Sequence, residues 1–324
     1  MTNTRRTAHL IFNPVSGRGN AQEDLNYLRS RLSEALDLTI YETTPDCDAR
    51  TLARQSVEQH VDLIIVSGGD GTINAAAEAI TTSPIPLAII PRGTANAVAT
   101  ALDIPNDLEA ACNITLNGAR RTIDTASCND KPMVLLAGIG LEASVVEQAS
   151  RGSKDRFGAL AYIMSGIQQL SELVSFEATL ETDDEIISVS ASAITVANIA
   201  PSTSVLAQGP ANIVADDGLL DITIVAAAGV GDTLAASYEL FRSAVSNQAA
   251  DRNDIGYLRS KDVRITTDPP QKVVLDGEMI GTTPLTVSCV PNSLTLMVPQ
   301  QPVQVKTEDL SGLPNLTIKP KPSN

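Results

Sequence analysis

The chain has 324 residues, 43% of them hydrophobic, and a formal net charge of −15. That length suits two domains with real cores, and the acidic balance excludes a nucleic-acid binder, whose footprint is basic. An anionic ligand therefore needs local help from a metal or a few cations. Cys47, Cys112, Cys128 and Cys289 are not paired at metal-ligand spacing, and His9 and His60 are the only histidines, so free thiols in a reducing compartment and no zinc site are expected. The N-terminal MTNTRRTAHLIF lacks the apolar centre of a signal peptide. No apolar run reaches the roughly 18 residues that a membrane span needs. A cytoplasmic protein is expected.

Up to residue 125 the pattern alternates. Residues 9–12 read as a strand, 13–19 as a loop, and 21–36 as a helix with Leu25, Leu28, Leu32 and Ala35 at helical spacing. Strands follow at 38–41, 63–66 and 87–90, and helices at 46–59, 73–80, 94–102 and 107–116. The βαβα order predicts an open, largely parallel sheet with helices on both faces, whose ligand edge lies at the C-terminal ends of the strands. Residues 13–17, Thr43, 68–74 and 91–96 all fall at such ends. Beyond about residue 121 strand-like segments dominate: 121–127, 133–137, 176–181, 186–196, 220–225, 263–267, 272–275, 286–289 and 293–298. Turn pairs such as Asn129-Asp130, Asp183-Asp184 and Asp276-Gly277 separate them. Two helices are expected within this part, at 158–173 and 232–245. The layout predicted is an α/β domain at 1–125, a mainly antiparallel β domain at 126–301, and a flexible tail at 302–324.

The most informative stretch is VSGGDGTIN, residues 66–74. Glycines at a strand-to-helix turn let the backbone approach a ligand or take a positive φ, and the helix N-terminus offers N–H groups to a phosphate. Gly68, Gly69 and Gly71 are those glycines; Thr72, Ile73 and Asn74 open the helix. Asp70 puts a carboxylate among the phosphates, where its natural partner is Mg²⁺. The first loop, Asn13-Pro14-Val15-Ser16-Gly17, also leaves a strand for a helix, but it lacks the Gly-Lys-Ser/Thr ending of a P-loop. In the third loop Arg92 can meet a phosphate beside Gly93, and Thr94 can cap the next helix and contact nucleotide.

NPVSG, SGGDGTIN and PRGTAN, in that order and spacing, resemble the diacylglycerol kinase/sphingosine kinase-like lipid kinases, specifically their soluble bacterial branch. The likeness continues through AGIGLEASV (137–145), ADDGLLDITIV (215–225) and LDGE (275–278), covering roughly residues 8–300. The resemblance implies an NAD kinase/phosphofructokinase-like α/β domain and ATP-dependent phosphorylation of a lipid hydroxyl, with diacylglycerol the leading substrate. It also implies that the domain at 1–125 binds the nucleotide, that the β domain at 126–301 takes the lipid substrate, and that the active-site cleft lies between them. By match of motif, nucleotide contacts fall on Asn13–Gly17, Thr43, Gly68–Asn74 and Thr94. Asp70 would orient a Mg²⁺-bound water network, Glu278 would be the general base, and Asp276 would share the metal network. The Asp70 carboxylate is the other candidate for the base. A structural Mg²⁺ would be held by Asp217 and backbone oxygens of Val214 and Leu219. Without the other motifs, Asp276-Gly277 would read as a plain hairpin turn.

Three positions depart from the family pattern. Ala75 and Ala97 stand where an acid is usual, and Arg92 where an apolar residue is common. Two alternatives follow: an NAD kinase-like enzyme, against which counts the lack of a second glycine- and threonine-rich motif of the type TPTGSTAY, and a catalytically silent nucleotide-binding regulator. The partners expected are ATP and a lipid presented at a membrane surface, with transient peripheral contact there. A homodimer is left open. Arg151, Lys154 and Arg156 before Phe157 and the apolar segment 158–173 would suit a bilayer surface.

Overall fold

The computed structural model describes residues 5–17, 19–144, 146, 175–201, 204, 207, 213–226 and 253–300, and the backbone of 317–320. The expected helices at 158–173 and 232–245 and the basic cluster Arg151, Lys154 and Arg156 lie outside the described residues. The chain divides into two compact units, Met1–Ile123 with Asn292–Pro302, and Asp124–Pro291 with Val303–Asn324.

The first unit alternates strand and helix: β1 (Arg6–Phe12), α1 (Ala21–Ser33), β2 (Leu36–Glu42), α2 (Ala49–Glu58), β3 (Leu63–Gly68), α3 (Asp70–Ala79), β4 (Leu87–Pro91), α4 (Ala97–Ala101) and α5 (Leu108–Asn117). Three helices start on side-chain caps: Asn20 accepts from the Gln22 N–H, Asp48 from Thr51, and Asp107 from Ala110. Each cap satisfies an N–H that the helix itself cannot and is worth about 1 kcal/mol. The four strands run parallel in the order β4-β3-β1-β2. Every residue of β3 and β4 is buried, as befits strands covered on both faces. Leu25, Leu28 and Leu32 of α1 pack with Leu10, Phe12, Leu63, Ile65 and Ile90. Full burial of one such leucine contributes roughly 1.5–3 kcal/mol.

β5 (Ala119–Cys128) leads into the second unit, whose strands are β6 (Lys131–Met133), β7 (Leu136–Gly140), β8 (Phe176–Glu181), β9 (Glu185–Ala191), β10 (Ala193–Ala197), β11 (Leu220–Val225), β12 (Ile255–Ser260), β13 (Asp262–Asp268), β14 (Lys272–Leu275), β15 (Glu278–Thr282), β16 (Leu285–Val298) and β17 (Thr317–Pro320). One antiparallel sheet has the order β12-β11-β10-β7-β14-β15. A second antiparallel set joins β17, β9, β8, β13 and the first part of β16. One apolar core draws on both sets, including Phe176, Leu180, Ile187, Val189, Ile194, Ile222, Ile265 and Val287.

Several elements differ from expectation. The single strand expected at 186–196 is two, β9 and β10, which belong to different sheets. The chain changes sheet at Ser192, whose N–H and hydroxyl both donate to the Val225 carbonyl. The strands expected at 286–289 and 293–298 are one strand, β16, and its part from Asn292 groups with the first unit, parallel to β4 at Leu296 and Leu87. In the segment read as a flexible tail, Thr317–Pro320 pairs with β9, because β9 offers a free edge and Thr-Ile suits a strand.

Candidate active site

β1 to β4 end in step: Phe12 lies opposite Glu42 and Ser67, and Gly68 opposite Pro91. Their following loops therefore leave one edge of the sheet, where ligands of such folds bind.

Main-chain and side-chain hydrogen bonds tie these loops together. Asn13 N–H donates to the Ser67 carbonyl (2.9 Å), and Thr43 N–H to the Phe12 carbonyl (2.9 Å). The Asn13 side chain folds back, accepting from the Val15 N–H (3.1 Å) and donating to Thr72 Oγ1 (2.8 Å). Ser16 Oγ accepts from the Gly69 N–H (3.2 Å), Pro14 is half-buried, and Val15 is 89% exposed at the loop tip.

The glycines act by close approach. None of Gly68, Gly69 and Gly71 has a positive φ. A Cβ at Gly68 would lie 2.7 Å from Thr72 Cβ, and one at Gly93 would lie 2.8 Å from the Gly69 Cα. Two loops thus touch backbone to backbone. Only a residue without a side chain permits this. Gly69 begins α3 with no side-chain cap, so a capping side chain does not take up the first-turn N–H groups. The helix starts at Asp70, three residues earlier than its apolar spacing suggested, and Ile73 is buried in it.

Asp70 is 1% exposed. Its carboxylate accepts the N–H of Asn96 (2.9 Å) and that of Ala97. Burial pushes its pKa above the usual carboxylate value, and those two N–H groups pull the other way. Asp70 thus caps α4 from across the sheet edge. Thr94 does not: it is exposed, and α4 begins at Ala97 because Asn96 sits in a left-handed conformation (φ 49°). The Asn96 amide instead closes the turn, accepting from the Gly93 N–H (2.7 Å) and donating to Asn106 Oδ1 (2.8 Å). Arg92 is buried rather than facing solvent; its Nε donates to Asp24 Oδ2 and its Nη1 to the Asn13 carbonyl, both at 2.9 Å. Glu78, the acid nearest the position of Ala75, is drawn away into an ion pair with Arg50.

Among the described residues of the first unit, three buried side-chain atoms have no hydrogen-bond partner in the protein: Ser67 Oγ, Asn74 Oδ1 and Arg92 Nη2. All three stand at the ends of β3 and β4 or in the first turns after them. Unsatisfied buried polar atoms call for an explanation, and their concentration at one edge marks a place that a polar ligand or solvent completes. Asp24, Ser67 and Asn96 were not picked out as site residues from the sequence. The available hint was Ser67, a hydroxyl closing an otherwise apolar strand.

In the second unit, Asp276 and Gly277 form the two-residue turn between β14 and β15, both with positive φ (47° and 87°). Asp276 is buried, and its carboxylate accepts N–H groups from Val134 (2.8 Å), Leu135 (3.0 Å) and Leu136 (2.8 Å). These bonds make it the anchor of that segment instead of a partner in a metal network. Glu278 opens β15 and is exposed beside the exposed Met279. Val214, Asp217 and Leu219 do not fit a Mg²⁺ site as they stand. Asp217 accepts the Leu219 N–H (3.1 Å) with one oxygen and pairs with the Arg259 guanidinium through the other. Arg259 Nε also lies 3.6 Å from Asp221 Oδ1, and Asp124 accepts the Gly218 N–H (2.7 Å). The cation of this acidic turn is Arg259. Among the described residues, no group of three His, Cys, Asp or Glu side chains could hold a metal.

Residues 7–128 match the family described as the diacylglycerol kinase catalytic domain, and 136–298 the YegS C-terminal NAD kinase beta sandwich-like domain. The chain belongs to the diacylglycerol kinase-like lipid kinase family. It is 44% identical over 305 residues to an uncharacterised protein, sll0036, of Synechocystis sp. (strain ATCC 27184 / PCC 6803 / Kazusa), covering 91% of this chain and 70% of that one. It is 28% identical to the diacylglycerol kinase of Bacillus subtilis (strain 168), over 86% of this chain and 92% of that one. The crystal structure of a proposed diacylglycerol kinase from Bacillus anthracis str. Sterne matches with a TM-score of 0.77 and 27% identity, over 90% of this chain and 97% of that one. Kinases of this family phosphorylate a lipid alcohol. The family's two-domain layout, an α/β domain followed by an antiparallel β domain, is the one described above. No helix among the described residues of this lipid kinase family member is long and apolar enough to cross a membrane.

Proposed function

We propose that this chain is an ATP- and Mg²⁺-dependent lipid kinase that converts diacylglycerol to phosphatidate. The observation that carries this reading is the set of unsatisfied buried atoms, Ser67 Oγ at the end of β3, Asn74 Oδ1 in α3 and Arg92 Nη2 just after β4, around an uncapped helix start. Such an edge is made for phosphates. In this reading the Asn13–Gly17 loop, Thr43, Gly68–Asn74 and Arg92–Thr94 receive the nucleotide. The oxygen donors there (Ser16, Ser67, Thr72, Asn74 and Asp70) suit a hard cation bound mainly through phosphates and water. Both Asp70 oxygens already hold a main-chain N–H, so Asp70 fits as an acceptor for metal-bound water. Mg²⁺ would supply charge neutralisation at the phosphates.

The lipid hydroxyl oxygen attacks the γ-phosphorus as the bond to the β–γ bridging oxygen breaks, and ADP leaves. Glu278, exposed at the start of β15, takes the hydroxyl proton. Asp70, buried and committed to the start of α4, is the poorer base.

The test incubates the full chain with labelled ATP, Mg²⁺ and vesicles carrying, in turn, diacylglycerol, monoacylglycerol, a sphingoid base or phosphatidylglycerol. Labelled phosphatidate from diacylglycerol is expected. Glu278→Gln should cut kcat by roughly 10²–10⁴-fold while ATP still binds. If ATP binds and no lipid is labelled, the chain is a silent nucleotide-binding member of its family.

A further inference from the structure

Arg92 is 6% exposed, yet it is a cation with incomplete hydrogen bonding. Its Nε is held by Asp24 of α1 and its Nη1 by the carbonyl of Asn13. The guanidinium lies 4.4 Å from the centre of the Phe12 ring, which fixes its plane. Its Nη2 is buried with no acceptor in the protein. The residue beside that nitrogen is Gly17, at φ +94°, where an added Cβ would come within 3.4 Å of Nη2. So three elements meet on one side chain: the β4–α4 loop that bears it, the β1–α1 loop above it, and the first turn of α1.

A buried donor on a charged group is costly to leave unpaired. Here two anchors and a ring hold the guanidinium still, and the one unspent nitrogen faces the loop leading to the N-terminus of a 13-residue helix. We propose that a phosphate oxygen of a bound polyphosphate completes Arg92 Nη2, so that Arg92 is both a phosphate-binding residue and the latch between the first and third loops. The proposal rests on the kinase reading only for the identity of the polyphosphate as a nucleotide. Lysine cannot replace this group, since one ammonium cannot reach Asp24, the Asn13 carbonyl and a phosphate along three fixed directions.

The test measures binding of sodium tripolyphosphate and of adenosine to the full chain by calorimetry, with KM and kcat for ATP measured alongside. The variants are Arg92→Met and Arg92→Lys, the second keeping the buried charge should the first fold poorly. Both should weaken tripolyphosphate binding by roughly ten- to a hundredfold and raise KM for ATP, with adenosine binding close to wild type. A merely structural role would weaken both ligands together. Equal tripolyphosphate affinity in Arg92→Lys and wild type overturns the proposal, as does failure of the wild type to bind tripolyphosphate. Arg92-dependent tripolyphosphate binding in a chain that phosphorylates no lipid would leave this site standing and remove the kinase reading alone.

Discussion

Glu142→Gln should stabilise the second unit at alkaline pH and abolish a pH dependence of its stability. Glu142 is 3% exposed, and its carboxylate accepts a hydrogen bond from Thr195 Oγ1 in the middle of β10, at 2.8 Å. Gly138, opposite Thr195 on β7, makes the room: a Cβ there would stand 2.3 Å from Glu142 Oε2. Burial pushes the carboxyl up from 4.5 to about 7, with the Thr195 hydroxyl pulling weakly downward. Below the unfolded value both states hold the proton, and stability is undiminished. Between 4.5 and about 7 the unfolded chain releases it while the folded chain keeps it, so stability falls as pH rises; above about 7 the loss is complete. That displacement corresponds to roughly 3 kcal/mol. Glutamine keeps an acceptor for Thr195 and carries no titratable proton. Urea denaturation of wild type and Glu142→Gln, followed from pH 5 to pH 8, isolates the effect as the difference between the two curves. The variant should gain on the wild type by up to about 3 kcal/mol across that range. A constant difference would refute the reasoning, because it would mean that Glu142 holds its proton alike in both states.

Three further substitutions separate the roles assigned above. Asp276→Asn removes one acceptor from three main-chain N–H groups and should cost about 1–3 kcal/mol, seen as a lower thermal midpoint with ATP affinity unchanged. An unchanged midpoint with altered Mg²⁺ dependence would return Asp276 to the metal network. Gly93→Ala forces a Cβ to within 2.7 Å of Asn96 Oδ1 and 2.8 Å of the Gly69 Cα, and should weaken ATP binding by at least about tenfold as the two loops part. Gly19→Ala, with nothing within 4 Å of its added carbon, is the control and should bind ATP normally. Because Arg259 is the cation at the acidic turn, EDTA without nucleotide should leave the thermal midpoint of the wild type unchanged, while Arg259→Met should lower it by leaving Asp217 and Asp221 without their guanidinium. A wild-type midpoint that falls in EDTA and recovers with Mg²⁺ would show that a metal occupies the turn after all.

Much of the first unit is legible in the sequence. Apolar runs bounded by glycine and proline mark β1, β3 and β4, and the spacing of Leu25, Leu28, Leu32 and Ala35 marks α1, because these signals act over a few residues. Alternation also exposed most strands of the second unit. It failed at Ser192, where one apolar stretch feeds two sheets, since period-two patterning says nothing about which partner a strand takes. It missed β12 and β15, and it gave no sign that Thr317–Pro320 would pair with β9.

For the site, composition and spacing identified the loops and the residue types at one sheet edge. Local rules act between neighbours in the chain, and they sufficed for that. What each polar group does there was decided by partners far away in sequence: Asp70 by the amides of Asn96 and Ala97, Arg92 by Asp24 and Asn13, Asp276 by residues 134–136, and Asp217 by Arg259. A carboxylate or guanidinium takes its role from whichever donor or acceptor the folded chain brings within about 3 Å, and only tertiary structure determines that.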